Sequence, residues 1–225
     1  WDDIVKIGRT HLQDATPIRL GQEFSGYAAM IKSGISRLES AADQLEGLAQ
    51  GGTAVGTGIN THVEFGARIA KELSSYSGVE FSEAENHYEA QATQDAAVQV
   101  SGALKTVAVS LSKIANDIRW LGSGPRAGLG ELLLPAVQPG SSIMPGKVNP
   151  VICESMIQIG AQVIGNDAAI TVGGLGGVFE LNLMLPLIGH NLLQSVEILA
   201  NGVRMFTDKL LKGLEPDEQK CADYI

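Results

Sequence analysis

The sequence predicts an all-α fold of long, roughly antiparallel helices, and three observations lead to that prediction. Apolar residues recur at helical spacing over several stretches of more than twenty residues. Little of the chain alternates with period two, and no hairpin dipeptide separates two β-rich runs. Gly- and Pro-rich segments lie between the periodic stretches, as expected of loops that connect helices.

The first two long helices are predicted from near-heptad apolar stripes. One runs from Phe24 to Ala49, and its stripe consists of Phe24, Ala28, Ile31, Ile35, Leu38, Ala42 and Leu45. The other runs from about Glu89 to Leu121, and its stripe consists of Leu104, Val107, Leu111, Ile114, Ile118 and Leu121. A shorter helix is predicted between them, from Val63 to Ser77.

A third long helix, from about Pro150 to Val172, is apolar or small on most of its faces. A helix without a wide polar face is normally buried on several sides, which indicates a bundle of more than four helices and therefore an oligomer. A single monomeric bundle is the alternative. A fourth long helix is predicted from Leu187 to about Leu211.

Four irregular segments separate these helices: Gly51–Thr61, Gly122–Gly130, Pro135–Pro150 and Gly173–Gly177. The longest irregular stretch ends at Pro150, and long loops in compact domains are often functional. Among the four histidines, His11 is the functional candidate because it lies in the polar, turn-rich stretch Gly8–Pro17.

Composition excludes several classes of protein. The formal net charge of −9 argues against a sequence-independent nucleic-acid binder, which needs a basic face. No apolar run reaches the roughly 18 residues of a membrane span. The two cysteines, Cys153 and Cys221, can build neither a disulfide framework nor a metal site by spacing, which favours a reducing compartment such as the cytoplasm. The chain begins without Met, and we expect it to be a piece of something longer.

Three sequence blocks carry a resemblance to a known family. The segment Gly140–Pro150, which reads GSSIMPGKVNP, resembles the signature loop of the fumarase/aspartase superfamily. The stretch Gly8–Pro17 with the following Gly21–Glu23, and the stretch Gly51–His62, resemble two further blocks of that superfamily. The residue after Thr10 is His11, which resembles the pattern of class II fumarases; aspartases carry Gln at this position.

The resemblance covers essentially all 225 residues, but chains of the family are about twice as long. It therefore implies that residues 1–225 are an incomplete central helical domain. The missing parts would be the N-terminal domain, the first core helix and the C-terminal small domain.

The activity that the resemblance implies is the reversible hydration of fumarate to (S)-malate through an aci-carboxylate intermediate. In this family pattern Ser141 is the base that takes the C3 proton, and His11 activates the water that adds at C2. Glu154 matches the position that pairs with the histidine. The alternatives are purely structural roles: Ser141 shapes a turn, and Glu154 complements a helix dipole.

The implied substrate-binding residues are Thr10, Ser142, Lys147, Val148 and Asn149. Positive charge and hydrogen-bond donors at Lys147 and Asn149 suit a dianionic aci-carboxylate, and a helix N-terminus beside them adds a favourable dipole. The alternative is that Lys147 is a solvated cation and Asn149 an N-cap.

The resemblance also implies a homotetramer whose active sites are shared between subunits, a small dicarboxylate substrate, and no metal or organic cofactor. A eukaryotic source would imply the mitochondrial matrix. Two other functions stay open: an aspartase-like ammonia-lyase of the same superfamily, and a non-catalytic structural relative. The complete set of catalytic residues argues against the second.

Overall fold

Seven α-helices dominate the computed structural model, which describes residues 1–225. Their bounds are α1 Leu20–Ala42, α2 Phe65–Ser77, α3 His87–Ala92, α4 Asp95–Leu121, α5 Val151–Gly174, α6 Leu185–Lys209 and α7 Glu218–Asp223. Two short 3₁₀ helices follow α1 and α6, at Asp43–Leu45 and Leu211–Gly213. The predicted all-α fold class is confirmed. No helix combines the length and the apolar character needed to cross a membrane.

Eight short strands form four separate two-stranded pairs. Their bounds are β1 Val5–Thr10, β2 Gln13–Arg19, β3 Gly47–Leu48, β4 Ser82–Glu83, β5 Leu132–Leu133, β6 Gly177–Val178, β7 Leu181–Asn182 and β8 Glu215–Pro216. The pairs β1–β2, β5–β8 and β6–β7 are antiparallel, and β3–β4 is parallel.

The predicted helix from Glu89 to Leu121 is in fact two helices. Asn86 caps α3, because its side-chain oxygen accepts the backbone N–H groups of Tyr88 and Glu89 at 2.9 and 3.1 Å. The chain is extended at Thr93 before α4 begins at Asp95. The first predicted helix ends at Ala42 rather than Ala49, where a 3₁₀ turn takes over.

The N-terminal stretch forms a hairpin that the sequence did not predict. Strands β1 and β2 form an antiparallel hairpin in which Val5 pairs with Arg19 and Thr10 with Gln13, with a register shift between Ile7 and Arg9. The sequence hides this hairpin because Lys6 is buried, at 1% exposure, which breaks the alternation of apolar and polar faces. Gly8 is required there, since a Cβ would lie 2.8 Å from the Thr16 carbonyl oxygen.

The backbone divides into two compact units. The first comprises Trp1–Gly34, Val107–Ala161 and Ile198–Ile225. Within it, α5 and α4 approach closely at Gly160, where a Cβ would lie 2.1 Å from Ser112 Oγ. Residues buried at 0% exposure include Leu20, Ile118 and Met156. All of the predicted site residues belong to this unit.

The second unit comprises Ile35–Thr106 and Gln162–Glu197. Its hydrophobic core is formed by Ala97, Ile170 and Ile188. The Asp167 carboxylate accepts hydrogen bonds from Ser101 and Lys105, at 2.8 and 2.6 Å. The description of residues 1–225 as one incomplete central helical domain stays a prediction.

Helix α5 has a buried side and an exposed side. Cys153, Met156 and Ile170 are each 0% exposed, whereas Ile164 and Val172 are 44% and 60% exposed. Small residues share the exposed side: Ala161, Gly165 and Ala168. The sequence predicted a helix that is apolar on most faces, and within this chain one of those faces lies open.

Candidate active site

The hairpin turn presents Thr10 and His11 at its tip. His11 and Leu12 form the two-residue connection, with φ values of 55° and 58°, as a type I′ turn requires. Residues other than Gly and Asn seldom adopt this left-handed backbone conformation, which costs about 1–2 kcal/mol per residue. Strain of this kind concentrates at functional sites. Both Thr10 and His11 are exposed.

A cluster of buried charges lies beneath the hairpin. The Glu131 side chain is 0% exposed and accepts two hydrogen bonds from the Arg9 guanidinium, at 2.9 and 3.0 Å. Lys6 Nζ lies 3.4 Å from the Glu131 carboxylate and 3.3 Å from that of Glu23, and donates to the Ile7 carbonyl at 2.9 Å. Two cations thus meet two carboxylates, which is how a protein tolerates buried charge.

The charge of Arg9 is secured by this cluster. Partial burial of the guanidinium lowers its pKa. The hydrogen bonds to Glu131 and the charge of Glu131 act in the opposite direction, and the net shift of the pKa is upward. Asp14 and Glu23 add to the upward shift. The Arg9 guanidinium also lies over the Tyr224 ring, 5.6 Å from its centroid.

The loop from Gly140 to Pro150 closes on itself before α5. The Gly140 N–H donates to the Lys147 carbonyl at 2.9 Å, and the Lys147 N–H donates to the Met144 carbonyl at 3.1 Å. Only glycine fits at position 140, because a Cβ would lie 2.3 Å from the Lys147 carbonyl oxygen. Gly146 has a φ of +82°, which also favours glycine.

The predicted binding side chains meet within this loop. Lys147 Nζ donates to Asn149 Oδ1 at 2.8 Å, so the Asn149 side chain contacts the lysine and not a helix amide. The Ser141 hydroxyl accepts the Ile143 N–H at 3.2 Å. This is the hydrogen bond expected if Ser141 has the structural role of shaping a turn. Ser142 and Val148 are exposed.

Glu154 lies in the first turn of α5, beside a buried thiol. Burial raises the pKa of Cys153 to about 12; Arg119 lowers it somewhat, and the Glu154 charge raises it again. A thiol with such a pKa stays protonated near neutral pH and is a poor nucleophile.

Within one chain the hairpin and the loop remain separate. No hydrogen bond or ion pair joins Thr10 or His11 to the loop or to Glu154. No group of three or more His, Cys, Asp or Glu side chains is arranged to hold a metal ion. Lys6 and Glu131 were not predicted from the sequence, in which the one available signal is a lysine between two apolar residues, Val5 and Ile7.

Comparison with known proteins places these features in context. The model of the lyase family matches residues 1–165. The fumarate hydratase class II of Corynebacterium efficiens is 57% identical over 97% of this chain and 46% of its own length. The mitochondrial fumarate hydratase of Dictyostelium discoideum is 56% identical over 100% of this chain and 46% of its own length. The chain thus spans about half the length of the curated relatives it matches.

The chain is also similar to solved structures of fumarases and fumarate lyases. A class II fumarase from Schistosoma mansoni superposes with a TM-score of 0.97 at 39% identity, over 98% of this chain and 49% of that one. A fumarate lyase:delta crystallin from Brucella melitensis, bound to cobalt, superposes with a TM-score of 0.94 at 48% identity, over 98% and 48% of the two chains.

Proposed function

Since the chain belongs to the lyase family within the fumarase/aspartase superfamily, we propose that the protein carrying it catalyses the reversible hydration of fumarate to (S)-malate. The observation that supports this most directly is the closed loop Gly140–Pro150. It brings the Lys147 ammonium and the Asn149 amide together, 2.8 Å apart, immediately before the N-terminus of α5. Ser141 lies in the same loop.

The loop suits the removal of a proton from carbon. In the dehydration direction the C3–H bond of malate breaks, Ser141 takes the proton, and the electron pair moves onto the adjacent carboxylate. That carboxylate becomes a dianion, which Lys147, Asn149 and the positive end of α5 stabilise. Ser142 and Val148 line the same loop and contact the substrate. A serine is basic enough for this step only when nearby donors and a cation stabilise its oxyanion.

The hairpin supplies the other proton. His11 protonates the hydroxyl at C2 as the C–O bond breaks, so that water leaves and fumarate forms. In the hydration direction the same imidazole takes a proton from the attacking water. Glu154 holds the imidazole in one orientation and tautomer, a role that histidine bases require. Thr10, next to His11, donates to a substrate carboxylate.

The sites are completed by other copies of the chain in a homotetramer. His11 and Glu154 make no contact within one chain, so the proposed pair has to form between chains. The exposed apolar side of α5, with Ile164 and Val172, is available for packing against other helices. Both cysteines are free, in keeping with a reducing compartment such as the cytoplasm, or the mitochondrial matrix of a eukaryote.

The test is an assay of the full-length protein that contains this chain. Purified protein is mixed with malate or with aspartate, and the formation of fumarate is followed by its ultraviolet absorbance. We expect fumarate from malate alone. Fumarate from aspartate would identify an ammonia-lyase, and no fumarate from either substrate would identify a non-catalytic relative. Either outcome would contradict the proposal.

A further inference from the structure

We propose that Arg9 and Glu131 are positioning residues, which hold the turn carrying Thr10 and His11 in the geometry that hydration needs. The inference rests on the proposed function. Its starting point is that β1–β2 is an isolated two-stranded hairpin, an element of marginal stability in water. Strand β2 is exposed along almost its whole length. The turn adds strain, since two non-glycine residues have positive φ.

The hairpin is held through its first strand. Arg9 directly precedes Thr10, and both terminal nitrogens of its guanidinium bond to the two oxygens of Glu131, at 2.9 and 3.0 Å. This bidentate pairing fixes direction as well as distance. Lys6, near the base of the same strand, contacts the same carboxylate at 3.4 Å. The strand is therefore held at two points three residues apart.

Glu131 is itself fixed by the C-terminal part of the same unit. Its carbonyl oxygen accepts the Asp217 N–H at 2.9 Å, and the Asp217 side chain caps α7 by accepting the Lys220 N–H at 3.0 Å. The next residues form β5, which pairs with β8. The Cys221 thiol lies 3.8 Å from the Glu131 carbonyl. A continuous series of hydrogen bonds thus connects α7 to Arg9 through Asp217 and Glu131.

Lysine cannot replace Arg9 in this role. An ammonium keeps the charge that balances Glu131 but lacks the planar fork that makes two parallel bonds. Arg9→Lys should therefore let the turn shift while keeping the cluster neutral. A displacement of about 1 Å in a catalytic group can lower the rate by roughly a hundredfold. Asp14, 3.7 Å from Arg9 Nε and exposed, cannot supply the missing restraint.

The experiment is a double-mutant cycle in the full-length protein. Hydration is measured for wild type, Arg9→Lys, His11→Asn and the double variant. We expect Arg9→Lys to lower kcat roughly tenfold or more in the wild-type background and less than twofold in the His11→Asn background, because Arg9 acts through His11. An equal loss in both backgrounds, or no loss, would overturn the inference.

A matched control lies on the other strand. Arg19 forms an exposed ion pair with Asp2 at 2.7 Å, so Arg19→Lys tests the same substitution where no buried carboxylate is involved. We expect it to leave kcat within twofold of wild type, since exposed ion pairs contribute little. A similar loss from Arg19→Lys would contradict a specific role for Arg9. If Arg9→Lys did not fold, Glu131→Asp would enter the same cycle with the same expectations.

A second readout separates this inference from the proposed function. The ring resonances of His11 are recorded by NMR in histidine-labelled protein. We expect them to shift in Arg9→Lys and not in Arg19→Lys, and unchanged resonances in Arg9→Lys would overturn the positioning role. A wild-type protein that does not hydrate fumarate would refute the proposed function, and the resonances would then decide the positioning role alone.

Discussion

At the scale of single residues, the difference between Ser141 and Lys6 shows what a sequence reveals about a site. Ser141 lies in a contiguous eleven-residue segment, so the order of residues alone identifies it as a candidate. Lys6 acquires its importance from Glu131 and Glu23, and the partner pair Arg9–Glu131 is separated by 122 positions. No local pattern encodes such a contact.

Ser141→Ala tests the proposed base. We expect hydration by the full-length protein to fall below a tenth of the wild-type turnover, because the proposed acceptor of the C3 proton is removed. Circular dichroism should show an unchanged helical signal, and sedimentation an unchanged assembly. The hydroxyl also accepts the Ile143 N–H, so the loop itself needs a control. Ser141→Thr keeps an acceptor there and should retain more activity than Ser141→Ala; equal activities above a tenth would rule out the base role.

The two thiols give a prediction about pH. Burial raises the pKa of Cys153 to about 12 and that of Cys221 to about 11. An ordinary thiol titrates near pH 8.5. At pH 8 we therefore expect a disulfide reagent to label neither cysteine in the folded protein and both after unfolding in guanidinium. Rapid labelling of the native protein would contradict the burial of both thiols.

The same thiols affect stability in a defined direction. The folded-state pKa of each lies above the unfolded value, so their contribution to stability is complete below about pH 8.5. It is lost as the pH rises toward 11 and 12, because the unfolded chain then releases protons that the folded chain retains.

At the scale of elements, the long helices were predictable and the hairpin was not. Three of the four long helices carry apolar periodicity and α5 is apolar on most faces, and none of these patterns depends on distant contacts. The helices lie close to where the sequence predicts them, except that α1 ends at Ala42 instead of Ala49 and Thr93 interrupts the second predicted helix. The hairpin lacks both of its usual signals. His11-Leu12 occupies a turn that normally takes Asn-Gly, and the buried Lys6 disrupts the alternating pattern.

The closed conformation of the loop Gly140–Pro150 depends on the absence of a side chain at Gly140. Gly140→Ala would place a Cβ 2.3 Å from the Lys147 carbonyl oxygen, so the loop has to open or shift. We expect a loss of hydration of roughly tenfold or more from the displaced Lys147, with the helical signal intact. Gly26→Ala is the control, because no atom lies within 4 Å of a Cβ added there. It should preserve activity and stabilise α1 by about 0.5–1 kcal/mol. Equal activity of both variants would contradict the dependence on Gly140.

At the scale of the whole molecule, the chain represents about half of the relatives it matches. The resemblance of three sequence blocks was enough to predict the family. Sequence alone could not show which blocks meet, because a contact between loop residues that are distant in sequence or lie on different chains leaves no local pattern. The hairpin tip and the loop are both exposed and make no mutual contact, as expected of a site completed by assembly.

The exposed apolar residues of the helices predict that assembly. Ile35 of α1, Val109 of α4, and Ile164 and Val172 of α5 are each 44–60% exposed. Monomeric proteins rarely expose large contiguous apolar patches, and closed symmetry can bury equivalent helices in a shared core. We therefore expect the 225-residue chain to sediment as a homotetramer at micromolar concentration.

One substitution should break this tetramer and a matched one should not. Val172→Glu places a charge on the open side of α5, where a shared helical core would have to bury it. An unpaired buried charge is strongly unfavourable, so the variant should dissociate to smaller species. Tyr76→Glu adds the same charge on α2 at a position that is 93% exposed, and it should leave the tetramer intact. A stable 23.6 kDa monomer of the unmodified 225-residue chain would contradict the tetramer. It would also contradict the proposal that copies of these 225 residues share active sites.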